Sequence, residues 1–334
     1  IKHIEQLPDD YLFWYGDAHY GKALLFDEQN EPQKAAPYFK KAEMLFEKAF
    51  GGAYDAFYLE FLANAALFYA ENGNQEKALD IANKALDYVM ANEGKNTLLA
   101  FKHRLNLAAV YYASGNYREA WDRSRKSLAI LNKQHFKRNN LLDSIQVEFK
   151  KPDAMLLQAK AEYQLNSSRD SVFLLDLVQR IDTALAIIDR RKLLLSSDED
   201  VNIQIANNQE LFGFAKKIAL ELYKKTGNYT YLGRTIGYHE SSLYNRIRSR
   251  LDARKAVQFA DIPDSAHNRE KEIKEKINTT LQNNDVNGFV QAGEEWRDFL
   301  ETLRSDHPRY FALRYGPFKQ QVDWNVPENT TVIR

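Results

Sequence analysis

The chain has 334 residues, with 46 Lys and Arg against 46 Asp and Glu, so its formal net charge is zero. That balance argues against bulk binding to nucleic acid or an anionic membrane surface, although a local patch stays open. Cysteine is absent, which excludes disulfides, thiolate metal sites and a cysteine nucleophile, and no apolar run approaches the ~20 residues needed to span a bilayer.

The chain opens at Ile1 without a Met or a signal-like segment, so it reads as an excised fragment, and a cytoplasmic location is expected. Residues 10–49 read as a first helix pair, beginning with the apolar run Tyr11, Leu12, Phe13, Trp14 and Tyr15. Inside it, Gly16 to Ala23 nearly matches a phosphate-binding P-loop. That loop needs a hydroxyl after its Lys to hold Mg²⁺, and here Ala23 follows Lys22. Ala23 suits a helix contact instead, and no cofactor is expected.

From Leu62 the chain reads LANAALFYAENGNQEKALDIANKALD, and from Leu105 it reads LNLAAVYYASGNYREAWDRSRKSLA. Asn72-Gly73-Asn74 falls on Ser114-Gly115-Asn116, Tyr69 on Tyr111 and Ala78 on Ala120, an offset of 42 residues. Upstream, Ala35, Phe39 and Ala42 are spaced like Ala78, Ala82 and Ala85, at an offset of 43. A fixed period of this size is the mark of stacked repeats. Alanines four and three apart line one face of a helix, which lets two helices approach closely. Gly73 and Gly115 supply the turn, because glycine accepts the positive φ of a helix C-cap. Small pair, aromatic, turn glycine and spaced alanines together resemble the tetratricopeptide repeat (TPR). The resemblance implies an all-α fold, a TPR-like right-handed superhelix of antiparallel helix pairs. Repeats two and three then cover 53–91 and 97–132, with residues 1–195 forming the repeat region.

Residues 133–152 break the pattern and read as an insertion. Lys133, Lys137 and Arg138 make it basic, and Ser144 to Lys150 alternates like a short strand. Helices resume from Pro152, with Ala154–Leu165 and Ser171–Arg191 as a fourth, degenerate pair. Residues 196–305 read as a further degenerate repeat and a coupling region. Asn202–Thr226 and Tyr229–Phe259 meet at Gly227, and the second of these stops before Ile262-Pro263. Two last helices fit 265–283 and 286–305, with Trp296, Phe299 and Leu300 expected to pack across Leu243, Ile247 and Leu251. Residues 306–334 read as an extended tail, with Val322–Trp324 and Thr330–Ile333 strand-like.

From about residue 174 onward, a second resemblance is carried by Ala219 to Tyr223, Thr226-Gly227-Asn228 and His239 to Ser242. Ala260 to Asp264 and Pro308 to Tyr315 complete it. This series is similar to the stretch leading into the CHAT domain of bacterial TPR–CHAT proteins, which are caspase-like peptidases fused to TPR arrays. One departure is Leu243, where the family pattern has Lys. The resemblance implies a peptidase domain in cis, following residue 334 and carrying the catalytic His and Cys. Within this chain no enzyme site is visible. His239-Glu240 lacks the second His of a zinc-protease motif, and no G-x-S-x-G elbow occurs.

The expected function is therefore that of a protein-interaction scaffold with no catalytic and no metal-binding residues. By the TPR resemblance, first helices line a concave face. Matching the repeats on their alanines puts Asn64 and Asn106 at one inward position, with Lys102 one turn earlier and Tyr112 deeper. Paired amides offer donor and acceptor together to a peptide backbone. A second candidate interface is the stripe Arg246, Arg250 and Arg254, which is able to meet nucleic-acid phosphates or to pack against a further domain. Nucleic acid is the disfavoured partner, and a protein or peptide the expected one.

Overall fold

The computed structural model describes residues 11–131, 141–191, 208–253 and 263–316, and every regular element among them is a helix. The chain divides into two compact units, 1–137 and 138–334.

The first unit contains α1 (Leu12–Glu28), α2 (Pro32–Phe50), α3 (Ala56–Glu71), α4 (Gln75–Asn92), α5 (Leu98–Ala113) and α6 (Tyr117–Leu131). They form three antiparallel pairs at the places the repeat demands. The turn inside each pair is the same object three times. Asn74 N–H donates to Tyr69 O at 2.8 Å, Asn116 N–H to Tyr111 O at 2.8 Å, and Glu31 N–H to Phe26 O at 2.9 Å. Each turn has one left-handed residue, Gly73 at φ 79°, Gly115 at φ 78° and Asn30 at φ 57°. Asn74 and Asn116 then cap the next helix, accepting from Lys77 N–H and Glu119 N–H. The side-chain oxygen meets a donor that helical geometry leaves unpaired.

Packing follows from the small residues. Ala35, Ala42, Ala78, Ala82, Ala85 and Ala120 are each at most 1% exposed. Around them the first two pairs bury large rings. Phe39 stacks on Phe68 with centroids 4.3 Å apart, and Phe46 meets Phe61 edge-on at 5.0 Å. A Cβ added to Gly16 would lie 2.5 Å from the Phe46 ring, so glycine there lets α1 close on α2. The P-loop lookalike is thus helical throughout, with Ala23 fully buried. On the outer side, Lys77 pairs with Glu43 at 2.8 Å and Lys84 with Glu47, tying α4 to α2.

The second unit contains α7 (Leu141–Leu165), α8 (Ser171–Arg191), α9 (Gln209–Thr226), α10 (Tyr229–Ala253), α11 (Asp264–Gln282), α12 (Val286–Asp306) and α13 (Pro308–Arg314). Three sequence expectations are corrected here. The short strand at 144–150 is helical, because Val147, Ala154 and Ala161 fall seven residues apart on one face and are fully buried. That helix also runs through Pro152 instead of starting there. The tail does not leave helix at residue 306: Pro308 occupies the first turn of α13, where its fixed φ and missing N–H cost nothing. Lys133, Lys137, Arg138, the end of the long helix near Ile262 and the strand-like segments after residue 316 all lie outside the described residues.

Two cores organise this unit. In the first, Leu174, Leu177, Ile181 and Ala184 of α8 meet Ile218, Ala219 and Leu222 of α9 and Tyr238 of α10. Asp182 accepts from both Tyr238 Oη and Arg234 Nη1, the latter at 2.6 Å, so α8 and α10 share a largely buried charged bond. The second core joins α11 and α12 through Ile273, Ile277, Ala292 and Trp296. Its turn repeats that of the first unit. Asp285 N–H donates to Thr280 O at 2.9 Å, Asn284 sits at φ 53°, and Asp285 caps α12 by accepting from Gly288 N–H. Trp296 packs against Tyr315 edge-on at 5.4 Å, while the side chains of Leu243, Ile247 and Leu251 lie outside the described residues.

Candidate functional site

Within the first unit, α1, α3 and α5 lie side by side, and one arc of each is left uncovered by its own pair. Helical periodicity decides which residues occupy it. On α3 the buried positions include Tyr58, Phe61, Leu62, Ala65 and Tyr69. The opposite arc carries Glu60, Asn64 and Leu67, of which the first two are exposed. Stepping by 42 or 43 residues gives the same arc on the neighbours. Asp17, Glu60 and Lys102 form one row, Gly21, Asn64 and Asn106 the next, and Leu24, Leu67 and Ala109 a third.

The predicted asparagines are both on this face, and each bridges to the helix before it. Asn64 Nδ2 donates to Tyr20 Oη at 2.6 Å, joining α3 to α1. Asn106 Nδ2 donates to the Ala63 carbonyl at 2.9 Å, joining α5 to α3. The donor half of each amide is therefore engaged within the array. Asn106 Oδ1 is buried with no donor among the described residues. Lys102 is exposed on the same face, one turn before Asn106. Tyr112 is half-buried, its ring 5.3 Å from Tyr117 of α6.

Electrostatics add residues that the sequence reading passed over. Tyr20 is 8% exposed. Burial raises its hydroxyl pKa above the ordinary value, the Asn64 bond opposes this, and the Glu60 and Asp17 charges push it further up. Two carboxylates from adjacent helices thus flank the Tyr20–Asn64 bond. The 42- and 43-residue steps back from Lys102 land on Glu60 and Asp17, so the period alone held the signal.

The second predicted interface lies beyond the described side chains. Arg246 and Arg250 fall on α10 with side chains outside the description, and Arg254 lies outside it altogether. Among the described residues no group of three or more His, Asp or Glu is placed to hold a metal ion. None of the described helices is long and apolar enough to cross a membrane.

No family model matches the chain, and no curated protein matches it. Among solved structures it is similar to a Rap protein complexed with competence and sporulation factor, at 15% identity and a TM-score of 0.41. The similarity covers 91% of this chain and 79% of that one. A TM-score of this size carries no weight for function. Among the described residues the chain is all-α, built of antiparallel helix pairs, and three first helices share one polar face.

Proposed function

We propose that the chain is a non-enzymatic, protein-binding scaffold that receives a peptide segment of its partner on the α1–α3–α5 face. The observation that carries this reading is the set of matching rows at repeat spacing, Asp17/Glu60/Lys102 and Gly21/Asn64/Asn106, on the arc the repeats do not bury. On the second helices the repeat-spaced alanines at 35, 42, 78, 85 and 120 are fully buried in the packing. The amides join the first helices to one another, and Asp17, Glu60 and Lys102 add charge to the same arc. It is suited to a ligand that lies across several helices at once.

The test is site-specific photo-crosslinking. A benzoylphenylalanine replaces Leu67 or Ala109 on the face, and Lys40 or Lys126 on the second helices serves as control. The expected outcome is one partner segment, identified by mass spectrometry, joined from both 67 and 109 and from neither control. Equal capture from all four positions would sink the assignment.

The finer reading, in which the array controls a CHAT peptidase in cis, has the resemblance over 174–315 behind it. One structural observation favours it over a free-standing adaptor: the Pro308–Tyr315 stretch is packed onto α11 and α12 through Tyr310 and Tyr315. A domain attached there would be held by that contact. Reading the gene beyond codon 334 for a His and a Cys on an alternating strand–helix pattern decides between the two.

A further inference from the structure

Among the described residues, the face shared by α1, α3 and α5 is ordered in sign. Its α1 and α3 side presents Asp17 and Glu60, and the matching position on α5 is Lys102. Among the described residues neither Asp17 nor Glu60 has an ion-pair partner. Several acids of the second helices are paired instead: Glu43 with Lys77, Glu47 with Lys84, Glu119 with Arg123, and Asp122 with Arg125 and Lys126. Two of the other cations on these helices turn elsewhere. Helix α3 contains no Lys or Arg. On α1, Lys22 lies over the Tyr38 ring at 4.6 Å, and on α5 Arg104 turns to Met90 Sδ at 3.4 Å, both toward second helices.

We infer that this face binds an extended peptide segment of charge-segregated sequence, its basic residues over Asp17 and Glu60 and its acidic residues toward Lys102. The inference rests on the reading of the face as a peptide surface and adds the chemistry of the occupant. Leu24 and Leu67 lie between the charged row and the far end of the helices, half-buried, and give the segment an apolar strip to lie against. Helix axes about 8–10 Å apart put the α1–α3 gap roughly 12–15 Å from α5. An extended chain rising ~3.3 Å per residue covers that in about four residues. Two like charges facing one gap repel each other, and a ligand cation placed between them relieves that repulsion.

Fluorescence anisotropy with three labelled synthetic peptides tests this on the whole chain. The first is Lys-Lys-Leu-Ala-Leu-Glu-Glu, the second has the same composition with alternating charges, and the third carries Lys at both ends. Exposed pairs are individually weak, so the segregated peptide should bind about five-fold tighter than the alternating one. Lys102→Glu should make the all-basic peptide the best ligand, and Asp17→Lys with Glu60→Lys should abolish binding of that peptide. Circular dichroism melting of each variant shows that the helices are intact, as expected for positions that are not buried. Equal binding of segregated and alternating peptides, an unchanged order in Lys102→Glu, or no binding of any peptide overturns the inference. Crosslinking at 67 and 109 reports separately on the peptide surface, so a charge-indifferent groove is distinguished from no groove.

Discussion

His103 on α5 is 5% exposed, and its Nδ1 is buried with no hydrogen-bond partner among the described residues. Burial, and then the adjacent Lys102 charge, hold its imidazole down at about 4. In the unfolded chain the same group titrates near 6.5. As pH falls from 6.5 toward 4, the unfolded chain therefore takes up a proton that the folded chain refuses. Stability rises with pH across that window, and a drop through it costs up to about 3 kcal/mol. Replacing the ring by an apolar side chain removes the titration. Urea unfolding at pH 7 and pH 4.5 should show His103→Leu losing less stability between the two than the native chain. Parallel losses would mean that other groups set the acid sensitivity.

At the scale of elements, the α11–α12 pair has the turn of the first unit's repeats without their alanines. Asn284 takes the place of Gly73, and the turn closes with the same hydrogen bond between residues five apart. Where a repeat carries spaced alanines, this pair has Ile273, Ile277 and Trp296. Large side chains give a thicker contact, and α13 is added to it. Tyr310 Oη donates to Glu270 Oε2 at 3.1 Å, Lys274 pairs with Glu270 at 2.9 Å, and Tyr315 meets the Trp296 ring. Glu270 is 4% exposed, and a carboxylate so buried needs partners of this kind. Trp296→Ala removes the centre of this contact and should cost about 3–5 kcal/mol locally. Hydrogen exchange should show 264–314 losing protection while α3 and α4 keep theirs. Undiminished protection in α13 would show that it is held by something other than the tryptophan.

For the whole molecule, the two units have separate cores. Phe39, Phe46, Phe61 and the alanines around them belong to the first, while Leu177, Ile218 and Tyr238 belong to the second. A solenoid repeat is stabilised by its immediate neighbours, so three stacked pairs suffice for a stable array. A fragment of residues 11–131 should accordingly fold alone and melt cooperatively by circular dichroism. A gradual, non-cooperative loss of helicity would show that the first unit depends on the second.

Local chemistry was enough to read the three repeats. Asn72-Gly73-Asn74 and the alanines at 78, 82 and 85 specify a left-handed turn and a flat helix face within a few residues of each other, and the structure has both. The boundaries of α8, α11 and α12 were legible for the same reason. Three things were not. Ser144 to Lys150 alternates on a scale too short to distinguish a strand from the middle of a long helix. Only packing of Val147, Ala154 and Ala161 on one face resolves it. Pro308 marks either a break or a helix start, and burial of Tyr310 against Glu270 selects the start. On the candidate face, the period brought Asn64, Lys102 and Asn106 together. That the amides donate to Tyr20 and Ala63, and that Asp17 and Glu60 converge on the same bond, depends on how closely α1, α3 and α5 pack. Spacing along a chain names the residues that share a face, but the distance between helices decides which of their groups are used in holding the array together.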